Sequence, residues 1–297
     1  MWNEQLIALY CTVCRYYDSG VSAHVQRFSN NFRPQFTDEE ALTVFLWGIL
    51  QRRFEVKAIY QYTQMHLLDW FPRLPSYQAF DRRLGELSPA FAALAERLIE
   101  EKRPDAKDMY VLLVDSLPIM LAKGLRASRA KVARQLCAKT YCASRDQWYY
   151  GVKLHMVGQK RQGTLPFPRF LFATEASCHD LPAAKQILQG SCFHGFLLAG
   201  DKAYSDAEWK EELAQDGMTL YTPQKRKRGQ PPPLPGRDAY DTSISRLRQP
   251  IEGFFNWLHE KTGIQIASKV RSLKGLLLHV FGRLSAALLS LSFSFNS

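Results

Sequence analysis

Met109-Tyr110-Val111-Leu112-Leu113-Val114-Asp115-Ser116 decides how this chain is read. Met109 to Val114 is an apolar run of strand length, and a carboxylate closes it. Working outward, Trp148 to Val157 alternates through Tyr150, Val152, Leu154 and Met156, and Phe170 to Thr174 forms a third strand. Three strands in succession imply antiparallel pairing. His179-Asp180-Leu181-Pro182 then opens a helix to about Leu188, Phe196 to Ala199 makes a buried strand ending at Gly200-Asp201, and Asp206 to Gln215 reads as a helix. Met218 to Thr222 is a fifth strand. A Pro-rich basic loop from Pro223 to Asp241 leads into a helix from about Ile244 to Lys261, and after a break at Gly263 a last apolar helix spans Leu273 to Leu291.

Three strands, helix, strand, helix, strand, helix predicts an α/β domain with a mixed five-stranded sheet flanked by helices, because the later strands return by crossovers to lie parallel to the first. This is the order of the ribonuclease H-like fold. Before it, from Trp2 to Arg103, apolar residues recur at helical spacing, so the chain divides into an all-helical domain over 1–105 and an α/β domain over 106–297. One helix starts at Thr37, an N-cap followed by Asp38, Glu39 and Glu40. Another starts at Ser76, with Tyr77, Phe80, Leu84 and Leu87 on one stripe and Arg82 and Arg83 opposite. Those two arginines fit either a recognition helix or a solvated basic face.

The 297 residues carry 39 Lys and Arg against 28 Asp and Glu, a formal charge of +11. That surplus points to an anionic polymer, with nucleic acid ahead of a membrane surface. The longest apolar stretch, Gly275 to Phe295, is interrupted by His279 and Arg283 and suits a buried helix better than a span. Met1 to Cys14 lacks the basic leader of a secretory segment. Six scattered cysteines fit a reducing cytoplasm. Cys11 and Cys14, the one C-x-x-C pair, have no second pair nearby and read as packed thiols.

Asp115 and Asp201 both stand at the carboxyl ends of buried strands, where α/β sheets hold ligands. Two such acids repel unless a cation or proton lies between them, and a hard divalent ion supplies that with oxygen ligands. A third acid is expected from the helix Ile244 to Lys261, on which Leu247, Ile251, Phe254 and Leu258 form an apolar face and Glu252 borders it. Arg248 lies one turn earlier, so an i, i+4 ion pair is the plain alternative for Glu252.

Val114-Asp115-Ser116, Tyr150-Gly151-Val152-Lys153-Leu154-His155, His179-Asp180, Gly200-Asp201-Lys202-Ala203-Tyr204 and Arg248-Gln249-Pro250-Ile251-Glu252 resemble, in this order, the DDE transposases of bacterial insertion sequences. The resemblance implies that Asp115, Asp201 and Glu252 are the catalytic and metal-binding triad, holding Mg²⁺, or Mn²⁺ in its place, as two ions. Such ions activate water or a DNA 3′-hydroxyl for in-line attack on a phosphodiester. It also implies a homodimer acting on double-stranded DNA, at element ends and target, with no membrane partner. Arg248 matches the arginine of the family's Tyr-Arg-Glu-Lys signature. Ser245 and His259 stand where its Tyr and Lys would be, with Lys261 two residues on, which marks a side branch.

A DNA track is expected from Lys123, Arg126, Arg129, Lys131, Arg134 and Lys139, a run without an acid, and from the loop residues Lys225, Arg226, Lys227 and Arg228. Trp148, Tyr149 and Tyr150 offer a stacking surface or core packing. His155 and His179 read as structural. Two rival activities remain: a nuclease of the same fold that cuts without joining, and a catalytically silent DNA-binding protein.

Overall fold

The computed structural model describes residues 2–27, 34–103, 110–191, 193–223 and 235–292. The chain forms two compact units: Met1–Lys102 with Lys131–Gln135 and Leu258–Ser297, and Arg103–Ala130 with Leu136–Trp257. The expected division at 105 falls within 104–109, outside the described residues.

The first unit is helical, with α1 (Trp2–Asp18), α2 (Asp38–Leu50), α3 (Val56–His66), α4 (Tyr77–Glu86) and α5 (Ser88–Glu101). A full capping box starts α2: the Thr37 hydroxyl accepts from the Glu40 N–H, and the Glu40 carboxylate accepts from the Thr37 N–H at 2.6 Å. Ser76 caps α4, whose Phe80 and Leu84 are buried, as is the Leu87 that follows.

In the second unit the strands are β1 (Val111–Lys123), β2 (Ala138–Cys142), β3 (Gln147–Gln159), β4 (Phe167–Glu175), β5 (Leu197–Ala199) and β6 (Thr219–Tyr221), with helices α6 (Asp180–Leu188), α7 (Ala207–Gln215) and α8 (Pro235–Thr262), whose last turn groups with the first unit. They form a mixed, six-stranded ribonuclease H-like sheet in the order β2-β3-β1-β5-β6, with β4 also paired to β3. β1, β2 and β4 run antiparallel to β3, and β5 runs parallel to β1 and β6. Leu112, Val114, Val157, Leu198 and Leu220 pack one face of the sheet against Ala184 and Leu188 of α6 and Trp209 and Leu213 of α7.

The expectation of five strands was one short. β2 arises from the basic run and has no buried face, so hydrophobic alternation could not reveal it. Main-chain pairing to Gln147–Gly151 holds it, together with a cross-strand contact of the Tyr141 and Trp148 rings at 5.6 Å. β1 is also longer than its apolar run. It continues past Asp115 along β3, through Pro118, a residue that argues against a strand interior. At the β-bulge near Met120 the two strands approach so closely that a Cβ on Gly151 would lie 2.0 Å from the Ile119 carbonyl oxygen.

The final helical rod belongs to the first unit: α9 (Leu273–Leu277), a π-turn (Leu278–Gly282) and α10 (Arg283–Ser292). Leu273–Leu291 is long and apolar enough to cross a membrane by length and composition, yet 67% of that window is buried in the protein. Three of its buried polar side chains bond main chain within the unit. His279 bonds the Ile264 carbonyl at 2.8 Å, Arg283 donates to the carbonyls of Thr262 and Phe54, and Ser285 donates to that of Phe91 at 2.8 Å.

Candidate active site

The placement of the two aspartates follows from strand register. β1 and β5 pair through Leu113 and Ala199, and Asp115 and Asp201 each stand two residues beyond that last pair. There the strands part. β1 stays on β3, with Asp115 opposite Met156, while the chain after β5 turns into a short 3₁₀ turn, Lys202–Tyr204, capped by Asp201 Oδ1 accepting from the Ala203 N–H at 2.7 Å. Asp115 therefore lies inside a strand rather than at its end; what ends beside it is the parallel neighbour.

Asp115 Oδ1 accepts from the Ser116 N–H at 2.8 Å, and Oδ2 accepts from Arg248 Nη2 at 3.2 Å. Burial pushes the Asp115 carboxyl up to about 7, with Asp201 and Asp180 adding to the rise and Arg248 and the Ser116 N–H opposing it. Arg248 is pinned by α8, whose Ile244, Ile251, Phe254 and Leu258 are buried and whose Leu247 is partly so. Its Nη2 also lies 3.6 Å from Glu252 Oε1, and while only 11% of the arginine side chain is exposed, 57% of Glu252 is. The guanidinium thus stands between two of the expected ligands. Asp201, Lys202, Arg248 and Glu252 line one cleft of about 740 Å³, together with Ser245 and Arg246. Among the described residues, no group of three His, Cys, Asp or Glu is arranged to hold an ion together.

Residues 105–272, more than half of the chain, match the model of the transposase DDE domain. The chain belongs to the transposase DDE domain family. A comparison with curated proteins found no match. Transposases of this family act on DNA and use divalent metal ions.

In this DDE domain the donor set fits such an ion at the two aspartates. Their oxygens are hard ligands, and the Asp115 carboxyl is raised chiefly by burial, with the nearby Asp201 and Asp180 adding to the rise. Glu252 is paired with Arg248. Asp180, expected only as a helix start and as a member of the His179-Asp180 segment, stands close enough to raise the Asp115 carboxyl. As the first residue of α6 it accepts from Lys153 Nζ at 3.1 Å and lies 3.9 Å from His155 Nδ1. The His179-Asp180 motif was the available signal. His155 itself is structural: buried, bonded to Thr174 at 2.8 Å, stacked on Phe172, and kept neutral by burial, which lowers its pKa to about 4. His179 occupies the N-cap position of α6 without a side-chain bond there. Tyr204, buried next to the acids, has a hydroxyl without a hydrogen-bond partner among the described residues.

The expected DNA contacts separate. Lys123, Arg126, Arg129, Lys131, Arg134 and Lys139 are all exposed, and Lys139 sits 4.7 Å over the exposed Trp148 ring. Tyr149 and Tyr150 are buried. Arg82 is exposed on α4. Arg83 is turned inward onto the buried Asp38, which Arg27 and Tyr17 also bond, so its guanidinium braces the helical unit. Lys225, Arg226, Lys227 and Arg228 lie outside the described residues.

Proposed function

We propose that this chain is the transposase of an insertion sequence, binding the element's double-stranded ends and carrying out metal-dependent cleavage followed by strand transfer. The observation that carries the reading is the shared register of Asp115 and Asp201, each two residues past the last β1–β5 pair, with Arg248 linking Asp115 to Glu252. In this reading Asp115 and Asp201 hold the ion pair, Mg²⁺ or Mn²⁺, and Glu252 completes the set once Arg248 releases it. The metal, when bound, lowers the pKa of water and stabilises the leaving oxygen. The chain's own residues orient the phosphodiester: Arg248 and Lys202 neutralise its oxygens in the cleft, while Lys123, Arg126, Arg129 and Lys139 line up the flanking duplex.

The reading includes a DNA-binding helical part over 1–105, a catalytic part over 106–297, a homodimer formed on DNA, and a cytoplasmic location. Incubation with Mg²⁺ and end-containing DNA tests it: nicked ends and joined products are expected, and Asp115→Asn abolishes both. Cutting without joining supports the nuclease instead. No cutting by the unaltered chain supports a silent DNA-binding protein, which the guanidinium between the acids also favours.

A further inference from the structure

A second basic groove lies beside α8. It has a volume of about 1010 Å³ and is lined by Lys160, Arg161, Thr164, Leu165 and Pro250. Pro250 precedes Glu252 by two positions, a rotation of about 200° on a helix, so the groove runs along the flank turned away from the acids. Leu165 leans on that flank: a Cβ on Gly253 would meet it at 3.9 Å. The Lys160 N–H donates to the Val111 carbonyl at 2.9 Å, which ties the loop to the strand of Asp115. Arg161 spends its Nε on the Leu165 carbonyl at 2.8 Å and rests on the Phe167 ring, leaving its Nη donors for something else.

Among the described residues no carboxylate pairs with Lys160 or Arg161, and the tip at Gly163 is open, with nothing near a Cβ placed there. On the adjoining β4, Arg169 is buried with its Nε unsatisfied, and Arg103 adds further positive charge beside it. The lining has no aromatic side chain to stack a base, and it is open rather than closed around a small anion. We infer that this groove binds the phosphodiester backbone of duplex DNA, on the opposite side of the catalytic helix from the acids, so that the duplex is gripped on both flanks of α8.

The inference rests on the DNA-acting reading above. Binding of a fluorescent duplex of arbitrary sequence, measured by anisotropy across a NaCl series with the full chain, tests it. Lys160→Gln/Arg161→Gln should weaken binding at low salt and flatten the slope of log K against log[salt] by between about 1 and 2, since each phosphate contact contributes about 0.9. Thr164→Glu, an exposed change that leaves the Arg161 brace intact, should weaken binding as well and decides the matter if the double variant misfolds. Slopes and affinities equal to those of the unaltered chain overturn the groove alone. Failure of the unaltered chain to bind DNA at all overturns the groove and the transposase reading together.

Discussion

One guanidinium nitrogen of Arg248 lies 3.2 Å from Asp115 and, one helical turn on, 3.6 Å from Glu252. This cation lowers the proton affinity of an aspartate that burial raises to about 7. Arg248→Gln should push that carboxyl higher still, moving the acid limb of the pH profile for Mg²⁺-dependent cleavage upward and reducing activity by about tenfold or more at neutral pH, in line with a lost charged hydrogen bond of about 1.5–3 kcal/mol. Arg248→Lys should recover part of both. An unmoved pH profile would show that the contact does not govern Asp115.

Asp180→Asn should shift the same limb the other way. Its charge raises the Asp115 carboxyl, so its removal lets Asp115 ionise at lower pH. Cleavage rates across pH 5 to 9, at fixed low Mg²⁺, read the shift, and an upward displacement would contradict the assigned coupling.

Asp115→Asn carries a stability signature as well as a loss of cleavage. A carboxyl held above its unfolded value opposes folding where the unfolded state ionises and the folded state resists, and that penalty is complete above about pH 7. The metal-free variant should therefore melt higher than the unaltered chain at pH 8, with the gap closing toward pH 4. A lower melting temperature at pH 8 would mean that the contacts to Ser116 and Arg248 outweigh the burial.

Two buried histidines set an acid limit. Burial lowers the pKa of His155 to about 4 and of His279 to about 3, so both are neutral when folded. The stability they contribute is intact above the unfolded value of 6.5 and is lost as pH falls from there toward 4 and 3. Each should add a slope of about 1.4 kcal/mol per pH unit in that window. Urea denaturation at pH 7 and pH 5 measures it, and His155→Gln should flatten the dependence in the second unit. An unchanged slope would mean that His155 titrates normally.

Gly151→Ala should be far more damaging than an ordinary surface change. Its Cβ would meet a carbonyl oxygen of the neighbouring strand at 2.0 Å, and backbone cannot swing aside as a side chain can. A loss of about 3 kcal/mol or more is expected. Thermal melting checks this, and a variant as stable as the parent would show that β1 and β3 can separate there at little cost.

Much of this was legible in the residues because burial on both sides leaves a plain trace. The runs before Asp115 and Asp201 read as strands since Leu112, Leu113, Val114, Leu198 and Ala199 are all buried, and Thr37 and Ser76 were correctly placed as caps because capping depends on neighbours a few residues away. What could not be read depends on partners distant in sequence. β2 exists because β3 offers it a free edge, not because its own side chains alternate in polarity. Arg83 looks like any exposed arginine until Asp38, on another helix, turns it inward. Asp180 begins a helix in the usual way, and only the fold brings Lys153 and the buried Asp115 near it.

The outer edge of β3 is shared end to end: β2 takes Gln147 to Gly151, and β4 takes Val152 to Gln159. Asp115 belongs to the second of these stretches, where it faces Met156. β2, into which the basic segment leads, is thus mounted on a part of the sheet that carries no acid. In the proposed function, such a layout keeps the strand beside the basic run apart from the acid that would hold the ion.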